Sequence, residues 1–397
     1  MLKELNGKQM RVLIGCFLCM FLVQGCLQTF AIYMPQVALE TGWKVSQVAI
    51  VSSTASLMAF FFNLLLAKAL RRLSPKAILL IGCAFNTIHL VGYSLCSNVY
   101  MLWFCGALGG IAVGWGTTAP CTIIITNWFE KNRSQFVAAV VAGSMFGSVL
   151  LNPFAAKLID CFGWRKAYVI QGLAMGGLAI AAVLLLVRSA PEGQKSTADA
   201  VTASERVKVK TDAKYILLAL GIFLIGLSTN TENYLPAFWQ SRGLSNSVSS
   251  YIMSFYALSA AVGSILMSKV NDRLGGRKYV MLTSIFFIVP LLLMAYTGAG
   301  SILILLIVMC IPISLGCKKA ATLTPPLIVN EAYGRKQYSS VIGTFAAMLQ
   351  LGIAASNFII GPVLELGYPA AFTLMAALNL AGRFCILFLP IGKTQKV

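Results

Sequence analysis

Charged side chains are scarce in this chain: of 397 residues only 11% are Asp, Glu, Lys or Arg, against about 25% in a soluble domain. With 12 acids and a single histidine, no nucleophile with its general base and no cluster of metal ligands can be assembled. Catalysis finds no support, and no cofactor is expected. The 11 cysteines are scattered, ten inside apolar stretches and Cys161 near a helix end. Without a CxxC or paired spacing in an outer loop they imply no disulfide framework and no metal site. The glycines at 106, 109, 110, 114 and 116 are followed by no Walker Lys-Ser/Thr and preceded by no strand, so they are read as packing or bending points in a helix. Energy for any work must then come from gradients.

What the chain has in abundance is apolar length. It is 58% hydrophobic, and about twenty apolar residues span a bilayer. Windows of that size predict twelve membrane helices, over 12–34, 47–69, 77–96, 100–127, 135–157, 166–188, 214–237, 248–270, 279–298, 301–328, 338–360 and 369–390. The first is too long for a signal-peptide core and lacks a small-residue cleavage site. The fold class expected is therefore all-α and integral to the membrane. A net charge of +19 is not a nucleic-acid footprint, because its distribution follows topology: 23 of the 31 Lys and Arg fall on one side of the predicted helices. Lys44, Lys157, Arg165, Lys166 and Arg242 fall on the other side, which puts both termini in the cytoplasm of a multi-pass plasma (bacterial inner) membrane protein.

The chain is also duplicated. Gly25, Tyr33, Pro35, Gly42 and Ser46 return at a constant offset of 201 as Gly226, Tyr234, Pro236, Gly243 and Ser247. Lys68, Arg72 and Leu73 continue the match as Lys269, Arg273 and Leu274. Two six-helix halves, 1–188 and 214–397, are joined by a Ser, Thr, Glu and Lys-rich linker over 189–213, expected to be a solvated tether at the cytoplasmic surface. A repeated multi-helix membrane unit describes a carrier with a site between its halves.

The loop after predicted helix 8, with Asp272, Arg273, Gly275, Gly276, Arg277 and Lys278, resembles the G-x-x-x-D-R-x-G-R-K loop of the major facilitator superfamily. Asp272 is suited to a helix N-terminus while Arg273 and Arg277 meet anionic headgroups, so the three form a candidate conformational latch. The first half departs from the pattern by placing Arg71 where the acid belongs. Trp128 to Arg133, Gly143 to Gly147, Pro153 and Gly163-Trp164-Arg165, with Thr324-Pro325-Pro326 and Tyr333-Gly334-Arg335-Lys336, resemble the monocarboxylate transporter and oxalate/formate antiporter branch. That resemblance implies movement of a small organic anion, with a proton or in exchange for another anion. It also implies rocking of the two halves and, by default for this architecture, a monomer. Predicted helix 8 has no Arg and helix 11 no Lys, the places where family members tend to carry the anion-binding cation.

An ionisable side chain deep in a spanning helix costs about 2.5 to 3.5 kcal/mol on insertion scales and is a functional candidate. Lys318 and Lys319 in predicted helix 10 are the first such pair. Helices 1, 4, 7 and 10 line the cavity in the superfamily this chain resembles. One lysine then pairs with a substrate carboxylate while the other raises the cavity's potential; alternatively both reach the cytoplasmic interface. Glu232 in predicted helix 7 is the proton-coupling candidate, with a polar cap at the outer mouth as its other reading. Gln24 and Gln28, at i and i+4, either bind substrate or bridge helices. Trp115, Thr118, Tyr256 and Gln350 are candidate cavity walls by position. His89, which could titrate near neutral pH, is expected instead as a buried, hydrogen-bonded side chain, and Arg383 as a bond to helix 11 or a snorkelling side chain rather than a substrate contact. An exporter of drugs or other amphipathic molecules is the rival reading; a non-transporting receptor or a channel is the remote one.

Overall fold

The computed structural model describes residues 6–129, 132–188, 212–274, 276–296 and 302–388; side chains within some helical stretches, among them 316–327 and 334–343, lie outside the description. The described residues are helical throughout, with short connections and no strand. Numbered in chain order, the helices of the described residues are α1 (Gly7–Thr41), α2 (Val45–Ala69), α3 (Pro75–Leu95), α4 (Val99–Trp128), α5 and α6 (133–162 and 164–186), α7 (Ala213–Ser241), α8 (Asn246–Leu274) and α9 (Gly276–Tyr296). The run Ile302–Leu364 is continuous helix, labelled α10 over 302–343 and α11 over Thr344–Leu364; α12 is Tyr368–Leu387. The expected linker over 189–213 lies almost wholly outside the described residues.

Two compact units divide the chain. One is Met1–Ala203 with Ser245–Ser254, the other Ser204–Leu244 with Phe255–Val397. In the first, Val12, Cys16, Cys19 and Met20 of α1 pack with Leu79 and Cys83 of α3, Cys121 and Ile125 of α4, and Val183 of α6. In the second, Leu218, Ile222 and Ile225 of α7 pack with Tyr279 and Val280 of α9, Phe345 of α11 and Ile386 of α12. Leu64, Phe104, Leu150, Leu185, Leu258 and Leu293 are exposed in the protein itself. On helices of this length and apolarity, such residues face hydrocarbon rather than water. Lipid tails are as apolar as these side chains, so packing inside each unit rests on close van der Waals fit and small residues.

Four of the five residues repeated at the offset of 201 have a matching structural role in both copies, and the fifth has a matching position. Gly42 and Gly243 close α1 and α7 with left-handed backbone, at φ 73° and 89°. Tyr33 and Tyr234 are wholly buried. Pro35 and Pro236 sit inside the second segment of each helix, where the missing N–H frees the carbonyl four residues earlier. Gly25 and Gly226 sit where the first helix of each unit crosses α5 or α11. Ser46 and Ser247 lie at the starts of α2 and α8.

Between α5 and α6 the chain turns at Gly163, with φ 74° and ψ 159°, a combination open in practice only to glycine. Trp164 follows, buried, with the Arg165 guanidinium carbon 4.4 Å from its ring centroid. Arg165 Nη1 donates to the carbonyls of Ser94 and Cys96 at 2.7 and 2.9 Å, satisfying acceptors at the end of α3. The Gly-Trp-Arg motif is thus explained locally as a turn, a plug and a helix cap.

Candidate functional site

The first helix of each unit is broken at equivalent positions. Helix α1 passes through a π-helical turn over Met20–Gln24, resumes over Gly25–Gln28 and breaks at Thr29 before Phe30–Thr41. Helix α7 breaks at Asn230, between Ala213–Thr229 and Thr231–Ser241. Residue 29 plus the repeat offset of 201 is residue 230. A break in a spanning helix leaves peptide groups that must find partners other than the helix itself.

In the first unit these partners form a buried chain. Tyr33 Oη donates to Gln171 Oε1 at 2.7 Å, Gln171 Nε2 donates to Thr29 Oγ1 at 3.0 Å, and Thr29 Oγ1 donates to the Cys26 carbonyl at 2.7 Å. Tyr33 stacks on Tyr168 with ring centroids 3.7 Å apart, and Tyr168 lies 5.0 Å from Tyr93. Of the predicted residues, Gln24 ends the π turn and is half-buried. Gln28 Oε1 accepts from Ser148 Oγ of α5 at 2.5 Å, so this glutamine does bridge helices.

The second unit solves the same problem with a cation. Asn230 Nδ2 donates to the Ile353 carbonyl of α11 at 3.1 Å, and Tyr234 Oη donates to Asn357 Oδ1 at 2.7 Å. Asn379 Nδ2 donates to Ser228 Oγ at 2.7 Å, beside the break, and Asn379 Oδ1 accepts from Arg383 Nε at 2.7 Å. Arg383 Nη1 reaches the Val280 carbonyl and Thr283 Oγ1 of α9, each at 2.5 Å. The arginine is 1% exposed, and its bonds to α9 join a helix that the sequence did not suggest as its partner. Glu232 is half-buried in the first turn after the break, where a carboxylate is favoured by the N-terminal amides.

The remaining predicted residues are dispersed. Trp115 directs its Nε1 to the Phe62 carbonyl at 2.9 Å and its ring against Phe62 at 4.9 Å, so its polar atom is committed to α2. Thr118 is exposed, Gln350 half-buried and Tyr256 wholly buried. Arg273 is exposed in the last turn of α8. The side chains of Lys318, Lys319, Asp272 and Arg277 lie outside the described residues. His89 is buried as expected, yet neither ring nitrogen has a hydrogen-bond partner among the described residues, and neither polar atom of Asn86 has one. The bond expected for His89 is therefore missing: α4 presents Gly109 and the ring packs against Tyr93 at 5.3 Å. Among the described residues no three His, Cys, Asp or Glu side chains are grouped to hold a metal.

Sequence reasoning singled out Tyr33 and Tyr234 as repeated residues without seeing their bonds, and it missed Gln171, Asn357 and Asn379. The available signal was polarity: each is an amide inside an apolar run.

The repeated, broken-helix architecture agrees with the family comparison. The model of the Major Facilitator Superfamily matches residues 16–241 and 217–397. The chain belongs to that superfamily. Among its relatives, the sialic acid transporter NanX of Escherichia coli (strain K12) is 24% identical over 226 residues, 54% of this chain and 55% of that protein. Monocarboxylate transporter 4 of Rattus norvegicus is 24% identical over 184 residues, 46% of this chain and 38% of that protein. The aspyridones efflux protein apdF of Emericella nidulans is 24% identical over 290 residues, 70% of this chain and 55% of that protein. The chain thus spans about half the length of most of these curated relatives. The crystal structure of nucleoside transporter NupG superposes with a TM-score of 0.80 at 15% identity, over 97% of this chain and 99% of that one, a likeness of fold alone.

Proposed function

We propose that this superfamily member is a secondary active carrier that moves a small organic anion, a carboxylate by preference, across the plasma membrane by alternating access. The observation that carries the carrier reading is the pair of first helices broken at Thr29 and Asn230. Carriers build substrate and ion sites from discontinuous helices in repeated units, because such breaks place polar groups inside the membrane without unravelling the fold. Residues 1–188 and 214–397 are the two halves, 189–213 is the cytoplasmic tether, both termini are cytoplasmic, and the working unit is a monomer.

The anion reading rests on charge. Two adjacent lysines, Lys318 and Lys319, lie in the helical run Ile302–Leu364, where an uncompensated cation is costly and a substrate carboxylate offsets that cost. Relatives named for sialic acid and for monocarboxylates both carry acids. An empty, positively charged site closes poorly around itself, so exchange against a second anion follows from the lysines alone. Proton symport requires a titrating group in addition, for which Glu232 stands at the break of α7.

The test is counterflow of radiolabelled lactate, oxalate, formate and sialic acid in proteoliposomes, with wild type beside Lys318→Gln and Lys319→Gln. Saturable uptake abolished by either change supports the reading. Absence of uptake, or uptake indifferent to both, overturns it in favour of an exporter of amphipathic molecules. The efflux relatives, matched at similar identity over a longer stretch of this chain, are the observation behind that second reading.

A further inference from the structure

The corner between α3 and α4 in the first unit brings two thiols into contact. Helix α3 ends at Leu95, Cys96 follows in extended backbone at φ −67° and ψ 122°, and α4 starts at Val99 behind the Asn98 cap. Cys96 Sγ lies 3.8 Å from Cys105 Sγ and 3.3 Å from the Gly92 carbonyl oxygen. A missing side chain prepares this contact. Gly92 stands one helical turn before Cys96, and a Cβ on it would lie 2.9 Å from Cys105 Sγ. A notch in α3 therefore seats the Cys105 sulfur beside Cys96. Arg165 of α6 fixes the other member of the pair, because its Nη1 donates to the carbonyls of Ser94 and Cys96 at 2.7 and 2.9 Å.

A second pair is as close, Cys19 Sγ and Cys83 Sγ at 3.6 Å, but it differs in place. Both of its members are 0% exposed inside the apolar core of the first unit, and Cys83 lies in the middle of α3. Cys96 instead begins a three-residue connection whose Ser97 and Asn98 are exposed, and Cys105 keeps 9% of its surface open. A reagent reaches this pair at the helix end, and the other only through the core. On the topology proposed above, the connection lies at the outer surface. That side of a plasma membrane is where disulfides form and persist.

We propose that Cys96 and Cys105 are a redox modification site, a dithiol that thiol–disulfide exchange converts into a disulfide stapling the end of α3 to α4. Its placement at the outer surface rests on the reading with both termini cytoplasmic; the thiol contact does not. The oxidant is a disulfide-bearing protein or small molecule. The Cys105 thiolate, the more open of the two, attacks one sulfur of the oxidant's disulfide, which breaks and releases one thiolate. The Cys96 thiolate then attacks the Cys105 sulfur, the mixed disulfide breaks, and the oxidant's second thiolate leaves. One S–S bond is made and one is broken, two electrons pass to the oxidant, and the two thiol protons end on its thiols. Because the sulfurs already touch, the second attack is intramolecular.

The test uses the full chain in membrane vesicles of both orientations. Vesicles are reduced, washed, exposed to an excess of oxidised glutathione, which does not cross the membrane, then denatured and blocked with iodoacetamide. Chymotrypsin cuts after Tyr100, Trp103 and Phe104, so the peptides carrying Cys96 and Cys105 separate unless a disulfide joins them. With the outer face exposed, alkylation of both is expected to fall at least about tenfold, a linked peptide appearing in its place, while Cys19 and Cys83 stay alkylated. In Cys96→Ser the second step is blocked, and Cys105 is expected to remain joined to glutathione. Gly92→Ala, whose methyl displaces the Cys105 sulfur, lowers the linked fraction at equal exposure. Full alkylation of Cys96 and Cys105 in both orientations overturns the site. Equal linkage of Cys19 to Cys83 overturns it too, since closeness alone would then decide. Linkage from the inner face alone keeps the thiol contact but overturns the outer placement, and with it the topology on which that placement rests.

Discussion

Gly25 of α1 and Gly147 of α5 cross so closely that a Cβ on Gly25 would lie 2.9 Å from the Gly147 Cα. Gly226 of α7 and Gly352 of α11 repeat the crossing, with 3.0 Å from a Cβ on Gly226 to the Gly352 Cα. Neither obstacle is the far end of a flexible side chain; both are backbone, so nothing local can yield. Gly25→Val and Gly226→Val are expected to destabilise by at least about 1–3 kcal/mol, the usual cost of overpacking. Thermal unfolding in detergent, followed by tryptophan fluorescence, would show both transitions lowered. A shift in only one variant would mean that the two crossings are not equivalent.

Tyr33 and Gln171 make the second prediction. Tyr33→Phe leaves Gln171 Oε1 buried without its donor, and such an orphan costs about 1–3 kcal/mol. Removing both polar groups leaves nothing to satisfy in that pair, although Thr29 then loses the donor on Gln171 Nε2. The double variant Tyr33→Phe with Gln171→Leu is therefore expected to recover part of the stability lost in the single change, and a thermal double-mutant cycle measures how much. Additive losses would show that the Tyr33 bond contributes independently of its partner.

These two cases mark how far the sequence could be read. Apolar runs of spanning length and an offset of 201 are properties of composition and spacing, so the helices and the duplication were visible in the residues alone. The break at Thr29 was not, because helix 1 reads as one continuous apolar run and only Pro35, six residues later, hints at disturbed pairing. Side-chain direction was the main loss. Trp115 suits a cavity wall by its place in helix 4, but which neighbour its helical face meets depends on packing, and in the fold its indole is turned to the Phe62 carbonyl of α2. Cys96 and Cys105 drew no attention as a pair because their spacing matches no disulfide motif, and the notch at Gly92 that seats the second sulfur is a matter of packing.

His89 gives a prediction of the opposite sign. Its ring nitrogens have no partner among the described residues, so the ring contributes packing and bears the desolvation of two polar atoms. Replacing such a group by an apolar one of similar volume is close to neutral or stabilising. His89→Leu is expected to unfold at or above the wild-type temperature and to leave pH-gradient-driven uptake intact. A clear loss of stability would reveal a bound water or other polar partner at the α3–α4 contact.

Arg383 carries the last prediction, because it links a buried charge to the break in α7. The guanidinium supplies donors from two different nitrogens, Nε to Asn379 and Nη1 to α9, and Asn379 in turn donates to Ser228 two residues before Asn230. A lysine is a point donor on a flexible stem and cannot hold Asn379 and α9 in the same fixed geometry. Arg383→Lys should therefore destabilise the second unit by about 1–3 kcal/mol, the cost of leaving a buried acceptor unsatisfied. Arg383→Met removes the charge but orphans the Val280 carbonyl, Thr283 and Asn379 together, and is expected to be the worse of the two. If the arginine instead contacts the transported anion, both changes would raise the half-saturation concentration in counterflow while leaving the unfolding temperature untouched. The pairing of those two measurements separates a structural cation from a binding one, and the bonds to α9 favour a fall in unfolding temperature with half-saturation preserved.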